Sequence, residues 1–208
     1  MRNGKLLGFA AVIVMSVCLI GTYARSQDKP GDKPAMGGMD EAAMKAMMEA
    51  GAPGPHHKAL EPMAGNFKYV NKFRMDPSQD WVTTEGEYNG EMAMDGRFLM
   101  VNVKGPMMGM TFQGMGCLGY DNMLQKFVAG WIDNMGTGIM RSEGTGSDGD
   151  KTITFTGQMM EPMTKKMTDY KYVYEIKSND EFTMRWWAPS MKDGKMFESM
   201  TITYTRVK

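Results

Sequence analysis

From Asn66 to the C-terminus, apolar side chains recur at every second residue, the period of a strand with one face buried. Ile153 and Phe155 alternate with Thr152, Thr154 and Thr156, and Met200, Ile202 and Tyr204 alternate with Thr201, Thr203 and Thr205. The same period runs through Tyr170, Tyr172, Tyr174 and Ile176, and through Phe182, Met184 and Trp186. Turn signals cut the segment at short intervals: Asp76-Pro77, Asp95-Gly96, Gly105-Pro106, Asp121-Asn122, Met135-Gly136, Asp148-Gly149, Glu161-Pro162, Ser178-Asn179 and Asp193-Gly194. These turns imply about ten strands. No intervening stretch is long and helical enough to cross between parallel strands, so neighbours pair as hairpins in an up-and-down meander. Closing that meander removes both free edges, and the expected fold is an all-β, closed antiparallel barrel, with a β-sandwich as the alternative. No internal repeat points to a propeller or solenoid.

The chain has 208 residues with 24 basic and 24 acidic side chains. One domain accounts for that length, and the balanced charge offers no basic field for a nucleic-acid backbone, so nucleic acid is not an expected partner. Residues 1–26 read as a secretory signal: Arg2 and Lys5 precede the uncharged apolar run Leu6–Ile20, and Ala24 and Ser26 are spaced for cleavage after Ser26. The run is shorter than the roughly 20 residues of a spanning helix, which sets a retained anchor second and predicts no stable membrane span after processing. Lipid attachment at Cys18 is disfavoured by Val17 before it and Leu19-Ile20 after it. The expected location is periplasmic or extracellular, with Cys117 the one remaining thiol and no internal disulfide. Residues 27–52 read as a charged, Pro- and Gly-containing linker followed by a short Met-rich helix from Asp40 through Ala50. A second helical turn is expected over Pro55–Met63, stopped by Gly65. The barrel domain then occupies 53–208.

The run Pro55-His56-His57-Lys58-Ala59-Leu60-Glu61-Pro62-Met63-Ala64-Gly65-Asn66-Phe67 resembles the entry to a lipocalin-like, nitrobindin-type barrel, where a short helix plugs one end and a Gly-x-Trp opens the first strand. Phe67 stands here in place of that Trp. With Gly119-Tyr120-Asp121-Asn122, the stretch Lys126–Gly138, Ser142-Glu143-Gly144-Thr145 and Met200–Arg206, the chain is similar to an uncharacterised family of exported bacterial proteins, a domain of unknown function with a calycin-like barrel. The resemblance covers roughly residues 53 to 208. It implies a fold and a compartment, and no activity.

Twelve residues are expected to face the barrel interior and hold a small apolar ligand: Phe73, Phe98, Met100, Phe112, Phe127, Trp131, Phe155, Tyr172, Tyr174, Met184, Trp186 and Tyr204. A one-residue slip in any strand would turn its set outward, and a solidly packed interior is the competing expectation. Methionine is abundant, with 27 residues, while leucine is scarce after the leader; the favoured reading is that Met takes leucine's place as core filler. Soft thioether binding of Cu(I), or scavenging of oxidants, would instead use Met36, Met39, Met44, Met47 and Met48 together with Met107, Met108 and Met110.

No cofactor is expected. Some nitrobindin-type barrels carry haem on a histidine from a late strand, whereas His56 and His57 both precede the first strand here. Nor do they stand at a zinc spacing, and a solvated helix start is the expected role of the pair. Asp133 and Glu143 are the candidate catalytic acids, with Asp121 a further one; a carboxylate beside a glycine-rich hairpin more often binds turn amides. Ser142 lacks a glycine elbow and Cys117 lacks a partner, so no nucleophile is evident. Glycines 105, 109, 114, 116 and 119 are read as sites of barrel curvature. The leading expectation is thus an exported binding barrel, with a pocket-carboxylate enzyme and a Met-rich copper or oxidant handler as alternatives.

Overall fold

The computed structural model describes residues 40–161 and 164–208; the leader, most of the linker, Met36 and Met39 lie outside them. Helix α1 (Glu41–Gly51) leads through a short helix α2 (Pro55–Lys58) and a 3-10 turn (Glu61–Met63) into ten strands. These are β1 (Gly65–Phe73), β2 (Val82–Ala93), β3 (Phe98–Met107), β4 (Met110–Asp121), β5 (Lys126–Asp133), β6 (Met140–Ser147), β7 (Thr152–Glu161), β8 (Lys166–Ile176), β9 (Glu181–Pro189) and β10 (Met196–Arg206). Each strand pairs antiparallel with its neighbour in sequence, and β1 pairs with β10 to close the barrel, with Phe67 opposite Arg206 at one end of the seam and Phe73 opposite Met200 at the other. The closed meander expected from the alternation is the fold; the sandwich is excluded.

One turn sits elsewhere than expected. Gly105-Pro106 lies inside β3, and the chain reverses at Met108-Gly109, with Met107 opposite Met110. Met108 and Gly109 adopt φ of 51° and 81°, the paired left-handed conformations of a two-residue hairpin. Pro106 is tolerated because the pairing of β3 with β2 ends at Lys104, so its missing N–H breaks no bond on that side. Gly105 is buried, and a side chain there would run into the Tyr69 hydroxyl 2.3 Å away, which is why the position is glycine.

Because hairpins in a meander alternate ends, the loops β2–β3, β4–β5, β6–β7 and β8–β9 share one end with the entering chain. That end is closed. Leu60 and Met63 are fully buried there, and Arg206 at the end of β10 ties the plug down, donating to the carbonyls of Ala64 (2.8 Å) and Pro62 (2.9 Å) with its guanidinium over the Phe67 ring. Asn122 donates to the Ala50 and Ala52 carbonyls and Arg97 to that of Gly51, fastening the C-terminus of α1 to the same end. Among the described residues no helix is long and apolar enough to cross a membrane.

Methionine does not replace leucine in the core. Leu60, Leu99 and Leu118 are buried, but of the described methionines only Met63 and Met184 are, and fifteen are exposed. Aromatic rings take the inner volume instead: Phe67, Tyr88, Phe182 and Tyr204 form one contiguous cluster with ring centroids 4.2 to 5.5 Å apart.

Candidate functional site

Above the plug the interior is hollow. A cavity of about 350 Å³ occupies the half of the barrel away from α2, lined by inward residues of β1 to β10. Aromatic groups stand on two opposed walls. On β4 and β5, Phe112 stacks along Trp131; across the barrel on β8 and β9, Trp186 stacks on both Tyr170 (4.6 Å) and Tyr172 (5.3 Å). Toward the mouth the lining changes to Met107, Met135, Met140, Met159 and Met200, unbranched thioethers that adapt to varied shapes. Small inward residues make the room: Trp131 lies flat over Gly114 and Gly116, where a Cβ would fall 2.2 and 3.0 Å from the indole.

Few polar groups break this surface. The Tyr88 hydroxyl donates to the Met63 carbonyl, that of Tyr170 to the Arg141 carbonyl, and those of Tyr172 and Ser142 share a bond of 2.6 Å. Asn71 is buried, donates weakly to Thr84 Oγ1 at 3.4 Å, and keeps an amide oxygen with no partner. Burial raises the pKa of Tyr88, Tyr172 and Tyr204 well above the ordinary value and pushes Tyr174 up to about 12. All four hydroxyls therefore stay protonated at neutral pH and remain hydrogen-bond donors, and the cavity carries no ionised tyrosine.

Seven of the twelve residues expected inside line this cavity: Phe112, Trp131, Tyr172, Tyr174, Met184, Trp186 and Tyr204. Phe127 and Phe155 also point inward, but they are wholly buried in the packing toward the plug and do not line the cavity. Phe73 shares the inward face of β1 but ends the strand half-buried at the rim and lines nothing. Phe98 and Met100 are corrections. Met92 faces Leu99 across β2 and β3, which puts Leu99 and Val101 inside and Phe98 and Met100 outside, with Phe98 lying across Gly119 on the outer surface. Four apolar residues in a row leave no alternation from which to choose a face. Tyr69, Asn71, Tyr88 and Tyr170 were legible by parity, each two residues from a residue on the inner face, but a polar amide and a strand's outermost tyrosine do not announce themselves as lining.

The other candidates fall away from the cavity or are already engaged. Asp133 lines it, yet one carboxylate oxygen accepts the Trp131 indole N–H (2.9 Å) and the other the Met135 backbone N–H (2.9 Å), the turn-binding role. Glu143 lies on the outer face, paired with Lys126 at 2.6 Å. Asp121 accepts the backbone N–H groups of Met123 and Leu124. Cys117 faces outward, and burial holds its thiol above the ordinary range, the reverse of an activated nucleophile. Met44, Met47 and Met48 are exposed on α1 at the closed end, while Met107, Met108 and Met110 belong to a hairpin at the mouth, so the candidate copper-binding methionines do not form one cluster. Among the described residues no three His, Cys, Asp or Glu side chains converge as a metal site.

Of the two histidines expected at a solvated helix start, His56 is exposed and His57 is not. His57 is buried, accepts the Gly54 N–H at Nδ1 (2.9 Å) and is held below its ordinary pKa of 6.5 chiefly by burial. His56 stacks on Tyr120 and pairs through Nδ1 with Asp150, brought from 94 residues away. At pH below about 6.5 the unfolded chain binds a proton at His57 that the folded chain resists, so acidification removes stability; above that pH neither state is protonated there and the effect vanishes. Urea melts at mildly acidic and mildly alkaline pH should show that loss, and His57→Asn, whose side-chain oxygen can take over the Gly54 bond, should show less of it. An equal acid loss in the variant would remove His57 as its source.

Residues 52–206 match the model of a family described as protein of unknown function (DUF1579). The chain belongs to that family. No curated protein matches its sequence. Among solved structures, the barrel is similar to Rv2717c from M. tuberculosis, with a TM-score of 0.55 at 14% identity over 76% of this chain and 100% of that one. It is also similar to the S-type phycobiliprotein lyase CPES from Guillardia theta, with a TM-score of 0.50 at 6% identity over 73% of this chain and 92% of that one. Both likenesses show the calycin-like barrel fold, which this DUF1579 member shares.

Proposed function

We propose that this DUF1579 protein is an exported carrier that holds one small, mainly apolar molecule inside its barrel. The observation that carries the reading is the cavity of about 350 Å³, walled by stacked aromatic rings and methionines. That volume lies within the ~300–1,000 Å³ of small-molecule sites. Protonated tyrosine hydroxyls and the Asn71 amide supply a few polar contacts for a ligand's polar end, the usual means of fixing orientation in an apolar pocket. The leader-like residues 1–26 support export, and Asp133, the carboxylate among the described lining residues, is held by the Trp131 indole and the Met135 backbone N–H.

Titration with a neutral naphthylamine dye tests the reading, with Trp131 and Trp186 on opposed cavity walls as internal reporters. Saturable one-to-one enhancement of dye emission, with quenching of the tryptophans, is expected. Dye emission that rises without saturation, or protein from its own cell carrying no excess mass by native mass spectrometry and binding no dye, would overturn it.

A further inference from the structure

The distribution of exposed methionine is not accounted for by the cavity. All five hairpins around the mouth carry an exposed apolar side chain: Met75 and Trp81 between β1 and β2, Met108 between β3 and β4, Met135 and Ile139 between β5 and β6, Met160 and Met167 on the strand ends of the β7–β8 hairpin, and Met191 and Met196 at β9–β10. Met108 is 82% exposed and Met75 70%. At the closed end exposed apolar groups sit on one side only, as Met94, Met123 and Leu124 on the β2–β3 and β4–β5 hairpins and Met44, Met47 and Met48 on the α1 fastened to them, while the β6–β7 and β8–β9 loops, Asp148-Gly149-Asp150-Lys151 and Lys177-Ser178-Asn179-Asp180, carry none. Large apolar groups on every hairpin around one opening form a continuous rim, and a contiguous exposed apolar surface marks a contact site where singly scattered residues do not.

We infer that this crown is a membrane-docking surface, which sets the cavity mouth against the headgroup layer of a bilayer containing anionic lipid. The crown surrounds a hole, so a rigid protein partner would meet it only in an annulus, whereas a fluid lipid surface accommodates five separate flexible loops. Its chemistry is that of interfacial segments, with methionine and tryptophan tips beside cationic groups. Arg74 lies over the Trp81 ring at 4.4 Å. The adjacent β7–β8 and β9–β10 loops present Lys165, Lys166, Lys192 and Lys195 against Glu161 and Asp193, a positive excess confined to that side of the mouth, which matches an anionic surface, while Asp76, Asp80 and Asp133 against Arg74 leave the other side acidic. Asp193 pairs with Lys195 at 3.8 Å and Glu161 accepts the Thr164 N–H. Asp76 in the β1–β2 loop accepts from Ser78 and Asp80 belongs to the same loop, so the lysine-bearing side of the mouth is the one set nearest the headgroups. The methionine lining of the cavity continues into the crown through Met107 and Met135, so an apolar molecule could pass between cavity and bilayer without crossing bulk water. This last purpose rests on the carrier reading; adsorption itself does not.

Co-sedimentation of protein purified from its own cells, with vesicles of phosphatidylcholine and phosphatidylglycerol in equal parts or of phosphatidylcholine alone, tests the inference. The protein should adsorb, more strongly to the mixed vesicles and less at high salt. Met108→Glu with Met110→Glu, at an exposed hairpin outside the core, should weaken adsorption about tenfold or more, while Met94→Glu with Met123→Glu at the closed end should not. Protein left in the supernatant with both vesicles, or equal losses in the two double variants, overturns the inference. So does a concentration-dependent dimer without vesicles that the mouth variant abolishes, which would assign the crown to a second copy. Dye binding separates the two readings: dye bound without adsorption defeats only the docking, and adsorption without dye binding defeats only the carrier.

Discussion

Phe182→Ala is expected to remove about 3–5 kcal/mol of folding stability, a large part of what a domain of this size has to lose. Phe182 is fully buried on β9. Its ring stacks on Tyr204 of β10 at 4.2 Å and meets Phe67 of β1 and Tyr88 of β2 edge-on at 5.0 and 5.4 Å. These contacts bridge the seam where the first and last strands join. Alanine would forfeit the apolar burial and these ring contacts, each worth about 0.5–1.5 kcal/mol beyond area, and would leave a void that the paired strands cannot collapse to fill. Equilibrium urea unfolding with tryptophan emission measures the loss. A cost near that of an exposed substitution, under about 0.5 kcal/mol, would mean that the seam is not packed as described. Phe182→Leu, which keeps most of the volume, should recover more than half of the stability.

Val103→Phe should weaken dye binding by about tenfold or more, while leaving the fold intact. Val103 lies on β3 facing the cavity, only half-buried by protein and opposite Gly114. A phenyl ring in place of its isopropyl group grows into empty volume, so the usual penalty for overpacking does not apply. The ring would occupy space beside Trp131, where a ligand is expected to lie. Unchanged urea stability with lost saturation separates occlusion from misfolding. Retained dye affinity in a stably folded variant would place the dye outside the barrel and defeat the carrier reading.

Pattern along the chain was enough for the architecture. Nine reversals separating alternating segments determine strand number, antiparallel order and closure, because a two-residue period admits only strands and short connections admit only hairpins. Even the misplaced turn at Gly105-Pro106 did not change the strand count, since Met108-Gly109 lay three residues on. Inner faces were readable wherever polar residues alternate, as from Tyr170 to Trp186. They were unreadable at Phe98-Leu99-Met100-Val101, where the length of the 94–97 loop and the pairing of Met92 with Leu99 chose the face.

What the chain's own order of residues determined is therefore the barrel, its plug and most of its aromatic lining, all consequences of local periodicity. The tertiary structure alone decided that the interior is hollow rather than filled, that most methionines stay out of the buried core, and that His56 meets Asp150 and Arg206 anchors the plug. Those depend on which distant residues share an end or a wall of the closed sheet, and on whether side-chain volumes sum to the space enclosed, quantities that no window of sequence contains.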